Sequence, residues 1–281
     1  MKYGFVLPYG DARAVAALAH EAEAAGWDGF FVWEPIWGID PWVSLAAAAM
    51  RTERIRLGTM LTPLSIRKPW KLASETATLD NLSGGRVILS VGLGATDTGF
   101  ANFGEELDRK TRAELVDEGL EILTGLWRGQ PFSFEGKHYH ISPTTFYPPP
   151  PPVQRPRIPI WVVGAYPRAK SMRRALRYDG LLPVKMDASG KFLETTPEII
   201  TEIKAYIAQH RLGLNPLAEP GVYDIIQEGQ TPGDDAGKAA EIVRPWAKAG
   251  VTWWIEAMWG ENDQEKVLTR LRQGPPGMEV L

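Results

Sequence analysis

The sequence predicts an α/β chain folded as a single (β/α)8 barrel, with all of its 281 residues in one domain. Three observations lead there. Short apolar runs alternate regularly with longer amphipathic segments. Most of those runs end on Gly, Pro or an acidic residue, as strands buried on both faces do when they open into loops. The alternation repeats eight times, in a length that such barrels routinely fill as one unit. A doubly wound sheet is the alternative, but it rarely needs eight such regular units.

Taken in order, Tyr3 to Pro8 is the first strand. Asp11 then caps a helix to Ala25 whose apolar face is Val15, Leu18, Ala19 and Ala22, and Gly26 stops it. Asp28 to Trp33 is the second strand, closed by Glu34-Pro35, and Asp40-Pro41 opens a helix to about Arg51. Ile55 to Leu61 is the third, with Thr62, Pro63, Ser65 and Arg67 on its exit loop and a helix from Pro69 to Leu79. Val87 to Val91 is the fourth; the double glycine Gly84-Gly85 precedes it and Gly92-Leu93-Gly94 follows it. A long helix covers Asp108 to Trp127.

The pattern then breaks. Residues 131–158 form an excursion, a β-hairpin turning near Glu135-Gly136 and then the proline run Pro148 to Pro152, which must be extended. The grammar resumes with strands over Pro159 to Gly164, Asp179 to Val184, Gly221 to Gln227 and Val251 to Ala257. Their helices run over Ala169 to Tyr178, Pro197 to Arg211, Asp234 to Ala249 and Asn262 to Arg272, and residues 273–281 read as a frayed tail.

Composition narrows the function. There is no cysteine, so disulfides, thiolate nucleophiles and thiolate metal sites are excluded, in keeping with a reducing cytoplasm. A formal net charge of −3 gives no electrostatic reason to expect nucleic acid or an acidic membrane surface. No apolar run approaches the length of a membrane span, and the N-terminal run is too short for a signal peptide. A cytoplasmic protein acting on a small molecule is the expectation.

In a barrel the chemistry sits just past the C-terminal ends of the strands. That rule collects Tyr9, Glu34, Met60 to Thr62, Gly92 to Ala95, Gly164-Ala165, Lys185 to Asp187, Gln227-Glu228 and Glu256 to Trp259. No metal constellation is among them: His20 and His210 fall in predicted helices, and His138 and His140 flank Tyr139 in the hairpin. Nor is there a nucleophile elbow, and Lys185 is the nearest approach to a Schiff-base lysine. What remains is a glycine-opened rim, rich in tryptophan (Trp33, Trp37, Trp42, Trp161, Trp253, Trp254, Trp259), with few carboxylates. Such a rim suits a planar organic cofactor. Gly164 leads into a helix start bearing Arg168, Lys170 and Ser171, which reads either as an anion site or as an exposed basic face.

These residues resemble the bacterial luciferase-like superfamily of flavin- and deazaflavin-dependent oxidoreductases. The resemblance rests on LSGGR with its strand and G-L-G, on EAEAAGWDGFFVWE, on the segment RLGTMLTPLSIRKPWKLASETATLDNLSGGR, and on GLEILTGLW, FEGKHYHI, PIWVVG and AGVTWWIE, in that family's order. It implies the barrel and a cofactor that is either coenzyme F420 or FMN, with a slight preference for F420. It implies a non-prolyl cis peptide under the ring at Met60–Leu61, beside Thr62, and the acidic group Glu34 near ring and substrate. Gly92, Leu93 and Gly94 would lie against the ring, and Gly164 and Ala165, with Arg168, Lys170 and Ser171, would hold a phosphate. A homodimer is also implied. Two departures, Pro35 and Ala95, stand where the family's sugar-phosphate dehydrogenases carry a His and a carboxylate, and argue against that particular chemistry. They also keep open a non-catalytic flavin-binding protein on the same barrel.

Overall fold

Aspartates set where the helices begin. In the computed structural model, which describes residues 1–145, 147, 149–214 and 223–277, the Asp11 carboxylate accepts from the backbone N–H groups of Arg13 and Ala14, both at 2.9 Å. Asp40 does the same for Val43 at 2.8 Å, and Asp108 for Thr111 at 2.7 Å. Each satisfies donors that the first helical turn leaves without partners. The helices are α1 (Ala12–Ala24), α2 (Pro41–Ala49), α3 (Pro69–Leu82), α4 (Arg109–Arg128), α5 (Ala169–Leu176), α6 (Pro197–Leu214), α7 (Ala236–Ala249) and α8 (Gln264–Arg272). The buried face of α1 is Val15, Leu18, Ala19 and Ala22, as its periodicity requires.

Between them run the barrel strands β1 (Lys2–Leu7), β2 (Gly29–Val32), β3 (Arg56–Thr59), β4 (Val87–Gly92), β5 (Ile160–Tyr166), β6 (Gly180–Met186), β7 (Asp224–Gly229) and β8 (Trp253–Ala257). All neighbours are parallel, and β8 pairs with β1 to close the ring. The predicted fold class is therefore the observed one. The fifth and sixth strands run two residues past their expected ends, to Tyr166 and Met186, and the third and seventh also differ. The third stops at Thr59, the Met60–Leu61 peptide is cis, and pairing to β4 resumes at Thr62–Pro63. The seventh is shifted toward its C-terminal end; Gly221 and Val222, which the sequence reading included, lie outside the described residues.

A plug of aromatics fills the barrel. Phe31, Trp161 and Trp253 point inward, with Trp161 5.2 Å from Trp253 and 5.4 Å from Phe31 between ring centroids. Small residues make the space. A Cβ on Gly29 would stand 2.7 Å from Phe31, and one on Gly180 2.3 Å from Trp161. The larger apolar cluster lies outside, between strands and helices.

The segment from Asp80 to Arg86 holds the excursion and the neighbouring loops together. Buried Asp80 accepts from the backbone N–H groups of Val153 and Gln154 at 2.7 and 3.0 Å. Buried Arg86 donates to the carbonyl oxygens of Ala49, Thr52, Ile55 and Ser83. The expected hairpin pairs Phe132–Glu135 with His140–Thr144, and Glu118 of α4 takes three of its turn's N–H groups. Phe146 and Pro148 of the excursion lie outside the described residues. The tail departs from its expected fraying: Arg270 donates to the Gly274 carbonyl at 2.8 Å and Pro276 is buried, so the chain stays docked there. Residues 278–281 lie outside the described residues.

Candidate active site

The aromatic plug stops short of the C-terminal ends of the strands, and a cavity of about 770 Å³ opens above it. Its floor and one wall are apolar: Met60, Leu61, Val162, Val163 and Val184, with Phe100 and Val116 beside them. Gly92 keeps that floor open. A Cβ there would stand 3.0 Å from Val163 and 3.1 Å from Leu61, filling the space between them. Gly94 has φ +75, and a Cβ would come within 2.5 Å of Phe100. Both glycines of the G-x-G are thus required by the shape of the cavity and its rim. The loop they form is pinned, because Ser65 Oγ donates to the Leu93 carbonyl at 2.8 Å and Arg112 Nη1 to the Leu93 and Gly94 carbonyls at 3.0 Å.

Glu34 enters this cavity from the end of β2 and is only 6 % exposed. Thr62 Oγ1 donates to its Oε2 at 2.5 Å, and Thr62 is itself 2.9 Å from Thr59 Oγ1. Arg67 Nη1 lies 3.4 Å from Oε1, and the same guanidinium is also paired with Glu75. Burial dominates over these two stabilising partners and pushes the Glu34 carboxyl up to about 7. A carboxyl that exchanges its proton near neutral pH is suited to general acid–base work. Glu228, at the end of β7, is a second acid in the cavity; burial raises it too, and Trp259 Nε1 donates to its Oε2 at 2.7 Å.

The structure places the sequence candidates unequally. Met60, Leu61, Gly92, Leu93, Gly94, Ala165 and Ser171 line the cavity with Glu34, and Thr62 stands behind Glu34. Gly164 does not line it. A Cβ there would be 2.2 Å from Leu181 Cδ1 and 3.2 Å from Met172 Sδ, so Gly164 faces outward against α5. Arg168 and Lys170 are also off the cavity: Arg168 holds the Asp187 and Ala188 carbonyls at 2.8 Å, and Lys170 is exposed. Ser171 Oγ is used to accept the Ala165 N–H at 2.9 Å. The cations that do line the cavity are Arg109 and Arg112 of α4 and Arg174 of α5. Their signal was the Arg-x-x-Arg spacing at the start of the long helix, which puts both on one face. Arg174 is held by Asp117 at 2.5 Å, whereas Arg109 and Arg112 make no ion pair among the described residues. Of the tryptophans, only Trp33 and Trp259 reach the cavity; Trp161 and Trp253 are barrel interior, Trp42 and Trp254 are buried elsewhere, and Trp37 is 81 % exposed. Glu256 is fully buried on the outer face of β8, bound to Arg270 and Thr231.

His138 and His140 contact Glu114 and Glu135 at 2.9 and 2.8 Å, and no group of three or more potential ligands that could hold a metal ion is present among the described residues. Among those residues no helix is long and apolar enough to cross a membrane.

Comparison with known proteins agrees with this architecture. An F420-dependent glucose-6-phosphate dehydrogenase of Nakamurella multipartita is 27 % identical over 250 residues, covering 84 % of this chain and 71 % of that protein. The coenzyme F420-dependent tetrahydromethanopterin reductase of Methanopyrus kandleri superposes with a TM-score of 0.75 at 19 % identity, over 98 % of each chain. The FMN complex of the oxygenating constituent of 3,6-diketocamphane monooxygenase from Pseudomonas putida superposes with a TM-score of 0.62 at 20 % identity, over 86 % of this chain and 71 % of the other. The profile of the luciferase-like monooxygenases matches residues 2–209, and the chain belongs to that family.

Proposed function

We propose that the protein is an F420-dependent oxidoreductase, moving a hydride between the deazaflavin ring and a small organic substrate, with Glu34 handling the accompanying proton. The observation that carries this reading is Glu34 itself: a buried carboxyl titrating near 7, at the wall of a cavity whose apolar floor Gly92 keeps clear. The residues fit a planar ring with an anionic tail. Met60, Leu61, Gly92 and Val163 offer it a flat apolar bed, and Arg109 and Arg112, free of carboxylate partners among the described residues, offer the tail positive charge. When bound, F420 supplies the hydride chemistry that no side chain here can supply.

The chain's own part is then specific. Thr62 and Arg67 hold Glu34 in one orientation, and burial keeps its proton available near neutral pH. Ser65 and Arg112 fix the Leu93–Gly94 carbonyls so that the glycine loop stays out of the cavity. Ala95 and Pro35 offer no proton, and of the two carboxyls in the cavity Glu34 is the one at the wall beside the Met60–Leu61 bed. The single-domain organisation, the cytoplasmic setting and the homodimer expected from the sequence belong to the same proposal.

Titration of the purified protein with F420 and with FMN, followed by ring fluorescence, tests it. Saturable F420 binding with much weaker FMN binding is expected. Tight binding of FMN instead would turn the reading toward reduced-FMN monooxygenation, and binding of neither would overturn it. F420 that binds but is never reduced or oxidised by any candidate substrate would leave a non-catalytic cofactor-binding protein.

A further inference from the structure

The rim of the cavity divides into two arcs of different charge. Arg109, Arg112 and Arg174 approach from α4 and α5, beside β4 and β5. The opposite arc is made by four strands that neighbour one another in the order β7, β8, β1, β2. It contributes Glu228 from β7, Trp259 after β8, Tyr9 after β1, and Trp33 and Glu34 after β2. Among the described residues Glu228 forms no ion pair. Its side-chain partner is a neutral indole N–H at 2.7 Å, which occupies Oε2 and brings no charge, while the residue lines the cavity. Arg67, beside Glu34, is already shared between Glu34 and Glu75.

We propose that this arc is the substrate subsite and that it takes a protonated amine, with Glu228 as counter-charge and Trp259, Trp33 and Tyr9 as its aromatic walls. An ammonium group gains on both counts, from a carboxylate in a sheltered site and from ring faces, which attract cations. A neutral alcohol of the same shape gains a hydrogen bond but no charge pairing. An anion would meet Glu228, which forms no ion pair among the described residues, so a sugar phosphate is the wrong substrate class for this arc. Trp259 acts through Glu228 as well as directly, since its N–H sets the carboxylate's orientation. The inference deepens the reading given above, because the arc faces the same cavity as the bed assigned to the ring.

The test uses the cofactor-free protein near pH 8, with binding followed by tryptophan fluorescence and calorimetry. The probes are benzylammonium, benzyl alcohol and benzoate. Benzylammonium should bind at least about tenfold more tightly than benzyl alcohol, and benzoate, drawn to Arg109 and Arg112 instead, should lose no affinity in Glu228→Gln. Glu228→Gln should abolish the preference for the ammonium while leaving alcohol binding within about twofold. Should that variant fail to fold, Trp259→Leu serves, and it should weaken the ammonium more than the alcohol. Equal affinity for ammonium and alcohol, or an undiminished preference in Glu228→Gln or Trp259→Leu, overturns the proposal. Failure here leaves the F420 titration unaffected, and failure of the F420 titration leaves this preference standing, so the two ideas fail separately.

Discussion

Replacing Glu34 by Gln removes one titration from the folded protein and keeps the shape of the side chain, with an oxygen still able to accept from Thr62. The wild-type carboxyl titrates at about 7 when folded, against 4.5 for an ordinary Glu in the unfolded chain. Between those values the folded state keeps a proton that the unfolded chain has released. Stability from this group is therefore fully present at acid pH and is lost as pH rises through about 7. At about 1.4 kcal/mol per pH unit the whole window is worth about 3 kcal/mol, and about 2.5 kcal/mol of it falls between pH 5 and pH 8. Urea unfolding of both chains at those two pH values gives the comparison, and titrations common to both cancel in the difference. The unfolding free energy of Glu34→Gln minus that of wild type should rise by about 2.5 kcal/mol from pH 5 to pH 8. A difference that stays constant within about 0.5 kcal/mol would mean that Glu34 titrates as an ordinary surface carboxyl, and the proton-relay argument would lose its basis.

Two further substitutions separate packing from chemistry. Glu256→Ala leaves the Arg270 guanidinium buried without its counter-charge, and chemical denaturation should show a loss of about 3–5 kcal/mol; the double change with Arg270→Met should recover most of it. Gly164→Asp forces a side chain against Leu181 and α5, so calorimetry should show destabilisation of about 1–3 kcal/mol or more from overpacking. A Gly164→Asp protein of normal stability that had lost only anion binding would restore the phosphate role that the sequence suggests for this glycine.

That glycine shows where sequence reading stops. The order of strands and helices was legible because buried strands and amphipathic helices leave different periods in the chain. Glu34, Met60–Leu61 and Gly92–Gly94 were legible because a barrel gathers its strand ends at one face. Gly164 was collected by the same rule, yet side chains alternate across a strand. Trp161, Val163 and Ala165 point inward, so Gly164 points out to the helix. Arg109 and Arg112 were missed for the opposite reason. They sit on a helix, many residues past the strand that they serve, and only the docking of α4 against the Leu93–Gly94 loop brings them to the cavity. Glu228 was one acid among several at strand ends; its sheltering and its Trp259 partner arise from loops that meet only in three dimensions.

If the cavity at the strand ends holds the deazaflavin ring, a bulky side chain at Ala95 should exclude it, and Ala95→Trp introduces one. Ala95 lines the cavity on an exposed loop in extended conformation, φ −103 and ψ 113, so a larger side chain there does not disturb the core. The measurement is the dissociation constant of F420 for wild type and for Ala95→Trp, with the melting temperature of each as control. Wild type should bind F420 and the variant at least about tenfold more weakly, at an unchanged melting temperature. Equal binding by both proteins would place the ring elsewhere and contradict that assignment.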